Sequence, residues 1–393
     1  MGNNVSLSNE GSPIENDLSV TWKQVKPSGT LDACEGQSFC SLGNKLYVYG
    51  GVIQKGDGDI TTTNTLQCFD TETQTWTTCE ANGEVPKPSS GSALAAVGNI
   101  LYLFGGLNQD VGWFNTIHAY NTVKNTWSLL STSGTIPSPR DKVSCVAAGK
   151  NIYYFGGFGP KMSEDDEDEV EEDEGDKDAD EEVSSEEEEE DGWQQKGVEF
   201  QWFDDLYIFN TETDVWSQPM HMNLLVPSAR AASTMCVLER DIIIFGGRDS
   251  KGRQNDVHTY NIDTRKWSPL DNLKGRNPAA RSYHAAVMIG DRMAVMGGRG
   301  QSESHFADMH ILDLEKNHWL QPTVFGDIPS ARGQHSVVVC GDVLVVHGGS
   351  SQFDTTLMQC QKHFTDTYVA KIDTILEGVA KESTELKSPQ VES

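Results

Sequence analysis

Six side chains in the central part of the chain carry groups that can bind an anion together. They are two guanidiniums, an ammonium group, a hydroxyl and two aromatic rings: Lys142, Trp202, Arg248, Arg253, Ser282 and Tyr283. Arginine pairs with a carboxylate through two parallel N–H groups, and flanking rings exclude water from such a pair. If the fold gathers these side chains, they form a pocket for a carboxylate; if it does not, they are scattered surface groups.

The sequence contains no motif of a familiar enzyme class. The patterns Gly-x-Ser-x-Gly and His-Glu-x-x-His are absent, and so is a P-loop. His284 and His335 each follow an arginine by three residues at equivalent positions of a repeat, which favours a structural role. The alternating aspartates from Asp176 to Asp180 lack the glycine and the distal glutamate of a calcium-binding EF-hand loop. We therefore predict no catalytic residue, no metal site and no cofactor.

Pairs of glycines punctuate the chain at a nearly constant interval. Each pair follows an apolar run, at residues 50–51, 105–106, 156–157, 246–247, 297–298 and 348–349. The intervals are 55, 51, 90, 51 and 51 residues, and the long one becomes 51 once about 39 residues around an acidic run are set aside. Each unit is predicted to form a four-stranded propeller blade, because such a sheet has to stack on neighbours to bury its faces.

A Pro-x-x-Arg motif precedes four of the glycine pairs. Its arginines are Arg140, Arg230, Arg281 and Arg332. Because these arginines recur with the period, we predict that they support loop carbonyls through hydrogen bonds. The six candidate site residues are interpreted as breaking the repeat. This favours ligand binding for them, since a structural support has to recur and a ligand contact does not.

The two ends of the repeat array predict how it closes. A tryptophan follows each of the first five glycine pairs and is predicted to fill the gap to the next blade: Trp76, Trp127, Trp216, Trp267 and Trp319. The last repeat lacks one, and the N-terminal segment from Ser19 to Val25 supplies Trp22 with no glycine pair before it. We therefore predict six blades, the last completed by the N-terminal strand. The predicted domains are a flexible N-terminus at 1–18, a propeller at 19–378 and a flexible tail at 379–393.

The negative charge is concentrated in one segment. The net charge is −29, and residues 163–191 hold 21 acidic residues and one lysine, which leaves −9 for the rest of the chain. A block of like charge repels itself and cannot bury a core, so we predict a disordered acidic loop insertion. It would act as a solubilising linker or attract basic segments. The remainder has no stripe rich in lysine and arginine, which argues against a nucleic-acid partner.

The sequence also bears on location and modification. No run of 18 apolar residues occurs, and the N-terminus does not have the pattern of a secretory signal. The eight cysteines contain no Cys-x-x-Cys pair and are expected to be reduced and mostly buried, which favours the cytoplasm or also the nucleus. Gly2 lies in a myristoylation pattern, the only predicted route to a membrane. Ser184 and Ser185 precede five glutamates and are candidate phosphorylation sites.

The period near 50 residues is typical of kelch repeats, and residues 19–378 resemble a six-bladed kelch-type β-propeller. Three stretches resemble the kelch-domain substrate receptors of cullin–RING ubiquitin ligases, which recognise C-terminal glycine degrons. The matching segments are Asp141-Lys142 with Phe155-Gly156-Gly157-Phe158-Gly159, Trp202-x-Asp204-Asp205-Leu206, and Phe245-Gly246-Gly247-Arg248 with Arg253-x-Asn255-Asp256. Arg281-Ser282-Tyr283-His284 continues the match, with tyrosine where that group tends to carry tryptophan.

This resemblance implies a role for each candidate residue. Arg248, Arg253 and Ser282 would clamp a peptide's terminal carboxylate, and the other residues would line the pocket: Lys142, Trp202 and Tyr283. Residues 160–162 stand where those receptors carry a pocket tyrosine, and the helical segment that docks a ligase adaptor is not found.

The implied function is a non-catalytic protein–protein interaction module, acting as a peptide-reading substrate adaptor of a ubiquitin ligase. Its protein partner would present a C-terminus or an acidic motif. The chain also resembles the kelch-repeat Rab effectors, which makes a trafficking scaffold the alternative. An enzyme built on the kelch fold is a further alternative.

Overall fold

The fold, taken from a computed structural model that describes residues 18–26, 28, 34–54, 60–161, 198–373 and 375–376, is built from β-strands. The described residues form six larger sheets, four with five strands and two with four, together with six smaller sheets of two or three strands. The all-β prediction is confirmed. Within the described part of the chain, no helix is long and apolar enough to span a membrane.

Each larger sheet contains four antiparallel strands in the order first, second, third and fourth. Sheet 1 comprises Ser38–Leu42, Lys45–Tyr49, Leu66–Asp70 and Thr75–Thr78. Sheet 2 comprises Ala93–Val97, Ile100–Phe104, Ile117–Asn121 and Thr126–Leu129, with Asn82–Gly83 added in parallel. Sheet 3 comprises Ser144–Ala148, Asn151–Phe155, Leu206–Asn210 and Val215–Ser217, with Ser133–Gly134 added in parallel.

The second half of the chain repeats the arrangement. Sheet 4 comprises Thr234–Leu238, Asp241–Phe245, Val257–Asn261 and Lys266–Pro269. Sheet 5 comprises Ala285–Ile289, Arg292–Met296, Met309–Asp313 and His318–Leu320, with Lys274–Gly275 added in parallel. Sheet 6 comprises Ser336–Cys340, Val343–His347, Thr367–Lys371 and Ser19–Val25, with Thr323–Gly326 added in parallel.

The six sheets form a closed ring. The first strand of each sheet contacts the first strand of the next, and that of sheet 6 contacts that of sheet 1. The N-terminal strand pairs with the third strand of sheet 6, Lys23 opposite Val369, and Trp22 on it is buried. This strand therefore supplies Trp22 in the place of the tryptophan that the last repeat lacks. Leu18 is buried as well, so the packed part begins one residue earlier than predicted.

An Asx turn joins the third strand to the fourth in most sheets. In sheet 2 the Oδ1 atom of Asn121 accepts hydrogen bonds from the backbone N–H groups of Val123 and Lys124, at 3.0 and 2.9 Å. Such a side chain takes the place of a backbone acceptor and closes a tight turn. The equivalent residues in other sheets are Asp70, Asn210, Asn261 and Asp313.

The core lies between neighbouring sheets rather than at one centre. Trp216 of sheet 3 packs on Phe104 of sheet 2, with ring centroids 4.9 Å apart, and Trp267 of sheet 4 packs on Phe155 of sheet 3 at 5.3 Å. Trp127, Trp319 and Trp76 contact the preceding sheet in the same way, the last of them across the closure of the ring. Each of these tryptophans therefore fills the gap to the preceding sheet, and the prediction that it fills the gap to the next blade is wrong.

A small β-ribbon follows each glycine pair. The strands of the six ribbons are Cys34–Glu35 with Val52–Gln54 and Ile60–Thr62, Leu107–Asn108 with Gly112–Trp113, Phe158–Pro160 with Phe200–Trp202, Arg248–Asp249 with Gly252–Arg253, Arg281–Ser282 with Arg299–Gly300, and Ser350–Asp354 with Gln359–His363. The glycines are needed for close approach: a Cβ on Gly156, where φ is +71°, would lie 2.4 Å from the carbonyl oxygen of Arg230. The ribbons therefore sit directly against the loops of the neighbouring repeat.

The predicted acidic insertion, residues 163–191, lies outside the described residues. So do the predicted tail at 379–393 and the modification candidates Gly2, Ser184 and Ser185. The chain leaves and re-enters the described part at one ribbon, where the N–H of Lys161 donates to the carbonyl of Glu199 at 2.7 Å. The insertion therefore departs from the tip of the ribbon that carries Trp202.

Candidate functional site

A belt of backbone hydrogen bonds links the six repeats. From the second repeat to the sixth, the N–H of one residue donates to the carbonyl of its counterpart in the preceding repeat. The five bonds measure 2.7–3.2 Å and run along the series Gly36, Gly91, Lys142, Ala232, Tyr283 and Gln334. All six have a left-handed φ between 52° and 65°. The four that are not glycine adopt a sparsely populated conformation, which is common at functional sites. Two of the predicted site residues, Lys142 and Tyr283, are therefore members of this belt.

The belt surrounds a cavity of about 190 Å³ that residues from all six repeats line. Lys142 and Tyr283 lie on its wall, together with Gln334 and the histidines His284 and His335. The other predicted site residues do not line this cavity. The structure thus divides the predicted pocket into a central part and a part on the ribbons.

Lys142 is held at the cavity wall by its neighbour Asp141. The two side chains form an ion pair, and the indole N–H of Trp113 donates to the same carboxylate at 3.2 Å. Burial lowers the pKa of Lys142, but Asp141 and Tyr283 together outweigh burial and hold that pKa above its usual value. Lys142 is therefore a cation at neutral pH, with its charge largely balanced inside the chain.

Arg253 is buried, and each of its three guanidinium nitrogens donates a hydrogen bond. Its Nε donates to the Oγ of Ser282 at 3.0 Å, and its two Nη atoms donate to the two carboxylate oxygens of Glu303 at 2.8 and 2.7 Å. Ser282 is completely buried. The structure therefore brings Arg253 and Ser282 together, and it adds a carboxylate, that of Glu303, which the sequence did not indicate.

Arg299 is the second arginine beside Glu303. Its Nε lies 3.1 Å from the Glu303 carboxylate, and its guanidinium stacks on Tyr283 at 4.9 Å and on Phe353 at 3.8 Å. Burial raises the pKa of Glu303, but the bond from Arg253 and the charges of the nearby arginines lower it below its usual value. Glu303 is therefore ionised at neutral pH.

Arg248 lies opposite Arg253 on the same two-stranded ribbon, and its side chain is exposed. Its backbone also exchanges two hydrogen bonds with Ala231, at 2.9 and 3.0 Å, next to the belt. Arg248 is one of the nearby charges that lower the pKa of Glu303. Of the two predicted arginines, Arg248 is thus the one that faces solvent.

Trp202 lies on another ribbon, opposite Phe158. The two ring centroids are 5.2 Å apart, and the ammonium of Lys142 lies 6.0 Å from the centroid of Phe158 on the belt side. Trp202 is therefore connected to the belt through Phe158, at the base of the acidic insertion.

The recurring arginines support the loops as predicted. In each case one Nη donates to the carbonyl of the first glycine of the pair, at 2.8–3.1 Å, and both Nη atoms hold one aspartate. The pairs are Arg140–Asp205, Arg230–Asp256, Arg281–Asp308 and Arg332–Asp366. Their role is structural.

The two repeat histidines are buried and neutral. Burial, together with the nearby arginine of the same motif, lowers the pKa of His284 and of His335 to about 3. The Nε2 of His284 lies 2.9 Å from the Oγ1 of Thr234, and its ring meets that of Phe245 edge to face. This agrees with the predicted structural role.

Arg299 and Glu303 were missed by the sequence reading, although one of them carried a signal. Arg299 follows Gly297-Gly298 as Arg248 follows Gly246-Gly247. Arg248 therefore has an equivalent in the next repeat, and the prediction that Arg248 breaks the repeat is wrong. No comparable signal marks Glu303, which lies in a turn of irregular sequence.

Comparisons with known proteins find similarity along most of the chain. The family model described as the KLHDC2/KLHL20/DRC7 Kelch-repeats domain matches residues 14–166 and 192–375. The chain is 30% identical to Kelch domain-containing protein 1 of Homo sapiens, over 80% of this chain and 76% of that protein. It is 29% identical to Kelch domain-containing protein 2 of Bos taurus, over 65% of this chain and 60% of that protein. It is 25% identical to Kelch domain-containing protein 3 of Rattus norvegicus, over 77% of this chain and 75% of that protein.

Proposed function

Since this chain belongs to the KLHDC2/KLHL20/DRC7 Kelch-repeats domain family, which confirms the kelch-type fold, we propose that it binds a peptide carboxylate without catalysis. Kelch-repeat domains are typically protein-interaction modules, and this coarse function holds for the chain. The finer proposal is that the ribbon bearing Arg248 and Arg253 receives the C-terminus of a partner protein, or an acidic side chain of that partner.

One observation carries this proposal: Arg253 holds a carboxylate through two parallel bonds, that of Glu303. Bidentate pairing requires the guanidinium plane and the carboxylate to be aligned, and Ser282 sets that plane through the Nε of Arg253. The guanidinium is therefore already oriented for a carboxylate. In the proposed complex the exposed Arg248 supplies the second cation, and Ser282 acts as a positioning residue.

The remaining predicted residues would serve the rest of the peptide. Lys142 and Tyr283 line the central cavity, and Trp202 with Phe158 forms an aromatic surface beside it. A peptide whose carboxylate sits at Arg248 and Arg253 would extend over these groups. The resemblance to ubiquitin-ligase substrate receptors adds the proposal that the bound C-terminus is a degron and that the chain works in the cytoplasm or nucleus.

The test compares partner capture by the wild type and by Arg248→Ala, Arg253→Ala and the double variant, read by mass spectrometry. Arg240→Ala is the matched control, because Arg240 is exposed and pairs with Asp263 outside the site. We expect a set of partners to be lost with Arg248→Ala and the double variant and kept with Arg240→Ala. Thermal denaturation shows that each variant is folded.

Three results would contradict the proposal. If no partner is lost in the double variant, the carboxylate pocket is wrong. Binding of a small GTPase that depends on its nucleotide and ignores both arginines would instead indicate a trafficking effector. Turnover that survives Arg248→Ala but fails when a titratable residue is replaced would indicate an enzyme.

A further inference from the structure

We propose that Glu303 is an internal competitor that occupies the carboxylate subsite and has to be displaced when a peptide binds. This inference rests on the proposed function and concerns the regulation of the same site. Its basis is that the chain's own carboxylate already holds the arginine that the ligand would use.

The hydrogen bonds of Arg253 leave no bidentate edge for a second carboxylate. A guanidinium offers two such edges, one between its two Nη atoms and one that includes Nε. Glu303 occupies the first, and Ser282 accepts from Nε on the second. A ligand that pairs with Arg253 in this way therefore has to replace Glu303.

The turn that carries Glu303 is attached to Arg253 at two places. The side-chain amide of Gln301 accepts from the N–H of Arg253 at 3.2 Å and donates to its carbonyl at 2.9 Å. The turn closes through two further bonds, Gly300 N–H to Ser304 and Glu303 N–H to Gly300. Because the Gln301 contacts involve only the backbone of Arg253, they can persist when the Glu303 carboxylate leaves the guanidinium.

A displaced Glu303 would still have a cationic partner. Arg299 lies 3.1 Å from the same carboxylate and is held by two aromatic rings, so it stays in place when Arg253 is taken by a ligand. Peptide binding would break the ion pair between Glu303 and Arg253 and form an ion pair between the peptide carboxylate and Arg253. Net affinity would then come from the contacts of the peptide beyond its carboxylate, so a simple free carboxylate such as acetate should not open the site.

The experiment measures capture of two peptide libraries by the whole protein. Both contain random ten-residue peptides ending in glycine, one with a free C-terminal carboxylate and one amidated. The variant is Glu303→Gln, and Glu315→Gln is the control, because Glu315 is an exposed glutamate in the same repeat. We expect Glu303→Gln to raise capture of the free-carboxylate library about tenfold, since it removes a charged hydrogen-bond partner of Arg253. The amidated library and the control should be unchanged.

The outcomes separate this inference from the proposed function. If Glu303→Gln captures no more peptide than the wild type while Arg248→Ala abolishes capture, Glu303 is not a competitor, and the proposed carboxylate pocket is retained. If capture is the same with and without Arg248, the proposed function itself is wrong. If Glu303→Gln does not fold, Gln301→Ala provides the test, because it releases the turn from the backbone of Arg253 without changing the charge of the turn. An increase in peptide capture by Gln301→Ala then supports Glu303 as a competitor, and no increase overturns that proposal.

Discussion

Buried arginines do two different things in this protein. In the Pro-x-x-Arg motifs they bind a glycine carbonyl and an aspartate of the same repeat, so charge and geometry are satisfied wherever the motif occurs. Arg253 and Arg299 instead pair with the carboxylate of Glu303, which lies in an irregular turn of the fifth repeat. An arginine that recurs with its partner supports every repeat in the same way, whereas Arg253 and Arg299 pair with a group of one irregular turn, which is why the proposed exchange concerns Glu303.

Replacing Arg281 by alanine is expected to destabilise the protein. Its side chain is fully buried, and removing it leaves the Gly297 carbonyl without its guanidinium donor and Asp308 with His310 as its remaining side-chain partner, a loss of about 3 kcal/mol in the free energy of unfolding. Arg281→Lys should recover little, because an ammonium cannot bind both groups in a fork. Chemical denaturation measures the change, with the exposed Arg276→Ala as the control. Equal stability of Arg281→Ala and Arg276→Ala would show that the motif is not a support.

The N-terminal strand is the element that closes the ring. Ser19–Val25 pairs on one side with the third strand of sheet 6 and on the other with Thr323–Gly326, and the buried Trp22 packs in a cluster with residues of sheets 5 and 6. The closure therefore joins the two ends of the chain by hydrogen bonds and apolar burial, which no other sheet requires.

We expect Trp22→Ala to lower the free energy of unfolding by about 3–5 kcal/mol, because it leaves a large cavity in that cluster. Lys23→Ala is the control on the same strand, since Lys23 is exposed. Urea denaturation and limited proteolysis measure the difference. A Trp22→Ala variant as stable and protease-resistant as Lys23→Ala would contradict the closing role of the strand.

The ribbon that carries Trp202 should tolerate loss of the acidic insertion. In this ribbon Phe158 pairs with Trp202, and Pro160 pairs with Phe200. The hydrogen bond from the N–H of Lys161 to the carbonyl of Glu199 joins the two strands where the insertion begins and ends. Replacing residues 163–191 by a short Gly-Ser linker is therefore expected to leave the melting temperature nearly unchanged in differential scanning calorimetry. A large drop would show that the insertion packs against the propeller.

The ring as a whole buries several histidines in the neutral form. Burial is the main cause that lowers the pKa of His284 and His335 to about 3 and that of His347 to about 4, from an ordinary value of 6.5. An unfolded chain protonates these rings below about pH 6.5, so it binds more protons than the folded chain. Stability from this source is complete above that pH and is lost as the pH falls toward 4 and below.

Each such histidine should therefore contribute a slope of about 1.4 kcal/mol per pH unit between pH 6 and 5. Urea denaturation at pH 7, 6 and 5 measures the total slope, and His284→Gln should reduce it by one histidine's share. A stability that does not change from pH 7 to 5 would show that the rings are not buried as neutral groups.

The sequence alone determined the repeat, its supports and its closure. Glycine pairs, Asx turns and outer tryptophans recur because every sheet meets the same local requirements of turning and stacking, and a missing tryptophan at one end matches an extra one at the other. The Pro-x-x-Arg arginines could be assigned for the same reason, since their partners recur in each repeat.

Only the tertiary structure decided which side chains meet across the ribbons. Three features join different repeats. They are the belt that positions Lys142 and Tyr283, the packing of each tryptophan on the preceding sheet, and the position of Glu303 between Arg253 and Arg299. Arg253 and Glu303 are brought together by the register of two short ribbons and one irregular turn, and no periodic pattern encodes that geometry. The physical reason is that a period records what every repeat shares, whereas a binding site is made from what one repeat does differently.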